Sequence, residues 1–355
     1  MRSFLINTAW FLSPIIVLHL FTFKYYVTDK ADLLKLGYII DLYPNYHDLF
    51  QKESENKIMY SEISEQPQEK TFTALTIGDS FSELEGCGYK NYLAQNDGIN
   101  ILHIDRSISN YQIPTLYRLL NGDLFEKYHF KFVILQNIER HYIGNLDHVD
   151  PGKKLNCHEM LELSKVKEPS QNTTYKFPSD RVLKFPYYTA QYYLQNTYLM
   201  NRVYMTTLST HLFSVDSKKL LVYDKDLSAI PSNNNPDNVK NLNNHLNNLN
   251  DLLNKKGIQL IVLPSPDKYD IYYDYIVDKH LFPKPLFFEH LNKLPKNYIY
   301  IDSKKILSEA VKQKKDIYYY DDTHWSPWAA QLVSKEIHQQ MILHQDSTVS
   351  SSPKL

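Results

Sequence analysis

Two short segments of the 355-residue chain carry the side chains best suited to nucleophilic chemistry, and they lie far apart in the sequence. The first is Gly78-Asp79-Ser80-Phe81-Ser82, directly after an apolar run. Gly78 lets the chain turn sharply where a strand ends, and the next residues open toward a helix. That geometry presents the Ser80 hydroxyl beside backbone N–H groups of the kind an oxyanion needs. The second is Tyr320-Asp321-Asp322-Thr323-His324-Trp325-Ser326-Pro327-Trp328. A serine hydroxyl is a weak nucleophile at neutral pH. It needs a base within hydrogen-bond reach, and that base needs a carboxylate to fix its tautomer and stabilise its cation. His324 and the two adjacent aspartates supply both parts in one loop, and the residues alone leave the choice between Asp321 and Asp322 open. Two of the three tryptophans, Trp325 and Trp328, flank this histidine. His103, His129, His141, His245 and His290 lack such a setting and read as surface or satisfied core residues.

These segments need a scaffold that brings them together. Strands are expected at 71–78, 99–105, 130–137, 258–264 and 297–302, with helices between several of them. The clearest helix is 237–256, where Val239, Leu242, Leu246, Leu249 and Leu253 recur at three- and four-residue spacing before Gly257. Another is expected at 326–341, with Ser326 as cap and Pro327 at the first helical position. Alternating strands and helices imply a mainly parallel sheet covered on both faces, with chemistry at the carboxyl ends of the strands. The stretch 141–235 is less regular and reads as an insertion that contains one long helix over YYTAQYYLQNTYLMNRVYMTTLSTHLF.

The N-terminus carries an apolar run from Phe4 to Phe23, flanked by Arg2 and Lys24. Its length of about 20 residues matches the hydrocarbon core of a bilayer, and no clear cleavage site follows it. Residues 1–25 are therefore expected to be an uncleaved signal anchor, 26–70 a stalk or lead-in, 71–342 the folded domain and 343–355 a disordered tail. A net charge of -1 provides no strongly basic field, which argues against nucleic acid as partner. Cys87 and Cys157 have no metal-ligand spacing. They form one disulfide or remain two unrelated buried thiols.

GDSFS after a strand, with D-T-H-W before the last helix, resembles the SGNH-hydrolase superfamily. More narrowly, it is similar to the SGNH-like O-acetyltransferases of alginate and other bacterial exopolysaccharides. Phe132 to Arg140 resembles their strand ending in a polar "ER" segment. Lys256 to Tyr272 resembles their strand followed by P-x-K-Y-x-x-Y. Here the serine motif precedes D-T-H-W, as in SGNH enzymes generally, and the glycine of the second SGNH block is absent from Arg106-Ser107-Ile108-Ser109-Asn110.

The resemblance implies a flavodoxin-like, three-layer αβα domain of SGNH type. It implies Ser80 as nucleophile, His324 as base and Asp322 or Asp321 as the acid. The Ser80 N–H and the Asn137 side chain become the oxyanion donors. Arg140, Lys268, Tyr269 and Trp325 are candidates to hold sugar or acyl donor; no cofactor and no metal are expected.

The expected reaction is transfer of an acyl group, through an acyl-serine, to a hydroxyl of a cell-surface polysaccharide or exopolysaccharide. A carbohydrate esterase would use the same residues, and a catalytically silent glycan-binding scaffold is the reading from another class. The expected setting is the bacterial inner membrane. A single span would leave the domain in the periplasm or cell exterior, beside a membrane-bound O-acyltransferase partner that supplies acyl groups.

Overall fold

A computed structural model describes residues 1–26, 31–40, 56–165, 179–215 and 218–349. Six strands form one parallel sheet: β1 (Ser61–Glu62), β2 (Thr71–Ile77), β3 (Ile101–Ile104), β4 (His129–Ile138), β8 (Gln259–Ser265) and β9 (Ile299–Tyr300). Their order is β1-β3-β2-β4-β8-β9, and every pairing is parallel. The chain runs from β2 to β3 on one side, then returns to β4 on the other. The carboxyl end of β2 is therefore the point where the winding reverses, the place where doubly wound sheets form a crevice.

Both faces of the sheet are covered, which completes the three-layer α/β architecture expected from the alternation of strands and helices. Ala74, Phe132, Ile134, Ile261 and Leu263 face one core, together with Tyr89, Tyr92 and Leu93 of helix Tyr89–Asp97 and Ala330, Val333 and Ile337 of the last helix. Leu75, Ile77, Val133, Leu135 and Val262 face the other core, shared with helices Gln112–Leu120 and Pro236–Asn254. In the latter helix all five apolar side chains of the three-and-four pattern are fully buried. Each such side chain contributes roughly 1.5–3 kcal/mol relative to exposure. Asn235 caps it by accepting from the Asp237 N–H at 2.9 Å, and Gly257, at φ +74°, lets the chain turn back into β8.

Four expectations are corrected. The single long helix of the insertion is broken. Helix Arg181–Leu194 ends, and β5 (Tyr198–Met200), β6 (Val203–Thr207) and β7 (Lys219–Tyr223) form an antiparallel sheet. Asn201 takes φ 44° in the tight turn between β5 and β6. Alternation then wins over helical spacing, because Val203 and Met205 enter the core beside Leu221. The lead-in does not stand clear of the domain: helix Asp32–Gly37 buries Leu33 and Leu34, and β1 extends the main sheet. The last helix, Pro327–Val349, runs through much of the expected tail; residues 350–355, like 27–30, 41–55 and 166–178, lie outside the described residues. Ser326 does not cap that helix through its side chain, since its hydroxyl is buried without a partner; its carbonyl accepts from the Ala330 N–H instead.

Helix Arg2–Tyr26 is long and apolar enough to cross a membrane, and 6% of its apolar window is buried against the rest of the chain. Cys87 and Cys157 are both buried and are not joined to each other by a disulfide.

Candidate active site

The site begins where β2 ends. Gly78 is required by close approach, because a Cβ there would collide with Ser82 Oγ and Gln136 Oε1. Asp79 then ties the turn to the neighbouring strand. Its N–H donates to Gln136 Oε1 (3.0 Å), and its carboxylate accepts from the N–H of Phe81 (2.9 Å) and of Ile138 (2.6 Å). Gln136 also accepts from the Ser82 hydroxyl (2.8 Å) and donates to Ser265 Oγ (2.9 Å), so β2, β4 and β8 share one buried polar lattice. Ser80 sits on this turn, half-buried, with its side chain directed to the loop that carries His324.

That loop is held from three directions. Across it, Tyr319 N–H donates to the His324 carbonyl and Ser326 N–H to the Ile317 carbonyl. From below, the buried Lys268 ammonium donates to the carbonyls of Tyr319 (2.8 Å), Tyr320 (2.7 Å) and Asp322 (3.2 Å). Burial brings Lys268 down to about 7, against the opposing pull of Asp321 and Asp322. From the lead-in, the Leu33 N–H donates to the Asp321 carbonyl (3.0 Å) and the Asp32 N–H to Asp322 Oδ2 (3.2 Å).

The result is one hydrogen-bonded chain. His324 Nε2 lies 2.7 Å from Ser80 Oγ, and His324 Nδ1 lies 2.6 Å from Asp322 Oδ1. A carboxylate only accepts, so Nδ1 carries the proton and Nε2 offers its lone pair to the serine hydroxyl. Of the two aspartates left open by the residues, Asp322 is the one that the imidazole bonds, and the same Oδ1 also accepts from the His324 N–H (2.9 Å). Phe81 packs its ring against the imidazole at 4.8 Å and its neighbour Trp325 at 5.1 Å. Burial pulls the imidazolium down, but Asp322 at contact distance, helped by Asp32, outweighs it and leaves His324 above the ordinary histidine value.

Among the described residues the Ser80 N–H donates to no protein group. Asn137, two residues past the β4 position paired with Ile77, is fully buried, and neither its amide nitrogen nor its oxygen has a partner. Ser109 Oγ donates to the Gly78 carbonyl at 3.4 Å, occupying part of the ground of the missing glycine block.

The four residues expected to meet substrate are buried and packed among or bonded to other parts of the chain. Arg140, its side chain 7% exposed, bridges Asp267 (2.5 Å) and Asp226 (3.1 Å) and so clamps the insertion to the end of β8. Lys268 holds the His324 loop, Tyr269 is buried with its hydroxyl on the Pro283 carbonyl (2.7 Å), and Trp325 is fully buried. Charged and aromatic side chains at strand ends find partners inside the fold that short motifs do not reveal. The converse holds for Asp32, Asp79, Phe81 and Gln136, which the motif reading passed over. Asp79 and Phe81 lie within the G-D-S-F-S motif and Gln136 within the 132–140 segment, whereas nothing local marks Asp32.

Asp32, Asp322 and His324 each bring a potential ligand atom to within 4.8 Å of the others. Both imidazole nitrogens and both Asp322 oxygens are already engaged, so a cation there would break the chain to Ser80.

No curated protein and no solved structure matches the chain. The segment containing Asp226, Lys268, Asp322 and His324 does match a family, while Ser80 lies outside the match and is brought in by the fold. Residues 224–353, a little over a third of the chain, match the family described as the SGNH hydrolase-like domain of acetyltransferase AlgX.

Proposed function

We propose that the protein is a membrane-anchored serine acyltransferase that O-acylates a polysaccharide outside the cytoplasm. The observation that carries this reading is the Ser80–His324–Asp322 chain at the reversal point of the sheet. His324 Nε2 takes the hydroxyl proton as Ser80 Oγ attacks the acyl carbonyl. Negative charge on the carbonyl oxygen is met by the free Ser80 N–H, with the Asn137 amide as second donor. The intermediate collapses, the leaving group takes the proton from His324, and an acyl-serine remains. His324 then deprotonates a sugar hydroxyl, which attacks the acyl carbon and restores Ser80. Asp322 holds the imidazole tautomer and its cation throughout, and the Asp32 and Leu33 N–H groups position that acid.

Helix Arg2–Tyr26 serves as the anchor, with the domain on the Lys24 side, facing the periplasm, and an acyl donor passed across the bilayer by a membrane protein. The half-exposed Ser80 also favours a second reading, since water can take the place of the sugar and give an esterase.

The test uses the full chain in lipid nanodiscs with p-nitrophenyl acetate, with and without a neutral oligosaccharide. Acetylated oligosaccharide that disappears in Ser80→Ala is the expected product. Acetate alone makes the protein an esterase, and a folded chain with neither product contradicts both enzyme readings.

A further inference from the structure

Helix Arg181–Leu194, here α6, has two apolar faces, of which the domain uses one. Val182, Phe185 and Tyr192 are buried. Leu183, Tyr187 and Leu194, spaced four and seven residues apart, lie on a common face and are 75%, 55% and 83% exposed. An exposed stripe of this kind needs an occupant. We propose that the occupant is the surface layer of the bilayer crossed by helix Arg2–Tyr26, with Leu183, Tyr187 and Leu194 seated at the boundary between headgroups and acyl chains.

Depth is the first argument. The apolar helix touches the domain through its last turns: His19 and Thr22 are buried, and the Phe21 ring stands 6.2 Å from Phe185 of α6. Phe21 is three residues before Lys24, about 4.5 Å along the helix axis. A helix packed at that point lies at the edge of the hydrocarbon layer, not in bulk water. Composition is the second. Arg181 and Lys184 are the charged residues within α6 and both are basic; Lys184 pairs with Asp180 just before the helix at 2.7 Å, so Arg181 carries the match to anionic headgroups, while tyrosines are side chains that favour the interface. The proposal rests on the reading of Arg2–Tyr26 as a membrane span.

The placement has a consequence for the site. The Thr189 hydroxyl of α6 donates to the Tyr38 carbonyl at 3.3 Å, and Tyr188 stacks on Tyr38 at 5.8 Å. Tyr38 follows the helix Asp32–Gly37, whose first N–H groups bond Asp322 and Asp321. One six-residue helix thus separates the lipid-facing element from the loop that carries His324, which holds the site at a fixed height above the membrane.

The experiment places a polarity-sensitive thiol-reactive fluorophore on Leu183→Cys, Tyr187→Cys or Leu194→Cys in the full chain, reconstituted in phosphatidylcholine–phosphatidylglycerol vesicles. Leu281→Cys, at a position 66% exposed, serves as the aqueous control and Val17→Cys as the deep control. The labelled wild type sets the background from the buried Cys87 and Cys157. The three α6 labels are expected to shift to the blue and to be quenched by lipids carrying a quencher near the headgroup more than by lipids carrying it deep in the chain. Quenching of Val17 by deep-quencher lipid with α6 labels as wet as Leu281 overturns the proposal and leaves the anchor standing. Labels shielded from both lipid and aqueous iodide overturn it in favour of a protein partner or a second copy. A Val17 label untouched by lipid removes the anchor reading and this proposal with it.

Discussion

Two histidines among the described residues bridge a hydroxyl and a carboxylate, and they stand in different settings. His103 bonds Thr76 Oγ1 at 2.8 Å and Glu83 Oε1 at 2.9 Å; His324 bonds Ser80 Oγ at 2.7 Å and Asp322 Oδ1 at 2.6 Å. By residue types and distances the two sets are near copies. Their settings differ in every other respect. Thr76 is sealed within β2, whereas Ser80 lies three residues past its end, half-exposed, with an unoccupied N–H. Burial and the nearby Lys90 push His103 below the ordinary value despite Glu83. At His324 burial acts in the same direction, but Asp322 and Asp32 reverse it. A hydroxyl–imidazole–carboxylate set becomes a nucleophile only where a reactant can reach the oxygen and where donors stand free to receive the charge that develops.

The largest effect belongs to Ser80→Ala, which should lower kcat for acyl transfer on the order of 10⁵-fold with the fold unchanged. Thr76→Val, the matching change at the other histidine, should leave the rate within a few-fold, as measured by product formation on both variants. Asp322→Asn should cost about 10⁴-fold, while Asp321→Asn should cost less than about ten-fold, because its carboxylate does not bond the imidazole. A reversed ranking of the two aspartates would show that the loop is held differently in the working enzyme. Lys268→Met removes the donor from three buried carbonyls and should lower unfolding free energy by about 2–4 kcal/mol in denaturant melts.

The smallest effects are in pH dependence. The base must be neutral, so the acid limb of kcat/KM should lie above the ordinary histidine value of 6.5. Asp32→Asn keeps the main-chain N–H and removes a carboxylate that favours the imidazolium, so this limb should move to lower pH. His103 supplies the opposite sign in stability. Its folded pKa is depressed, so the unfolded chain binds more protons below about 6.5 and stability is lost as pH falls through that window. His324, with its folded pKa raised, contributes stability that is present below 6.5 and lost as pH rises through its folded value. Thermal melts of His103→Gln and His324→Gln across pH separate the two.

Local pattern carried much of this into the sequence. The apolar runs at 71–78, 130–137 and 258–264 became β2, β4 and β8, and the leucine spacing of 237–256 became a helix ending at Asn254. The two motif segments were readable because a turn glycine and an Asp-x-His loop have strong local signatures. What escaped the reading depends on contacts between distant residues. Arg140 pairs with Asp226, 86 residues away, a contact that nothing in its own segment announces. Asp32 means nothing without Asp322, 290 residues on. The broken helix at 187–213 is a competition between periods, settled by a core that takes Val203 and Met205 from a strand.

The most direct test of the Ser80–His324–Asp322 assignment is the location of the acyl group during turnover. The full chain is mixed with an activated acetyl ester, quenched in acid at early times and digested, and its peptides are weighed. The account predicts a burst of acetyl on the peptide containing Ser80, absent in Ser80→Ala and slowed in Asp322→Asn. Turnover with no acetyl on that peptide, or the same rate in Ser80→Ala, would contradict it.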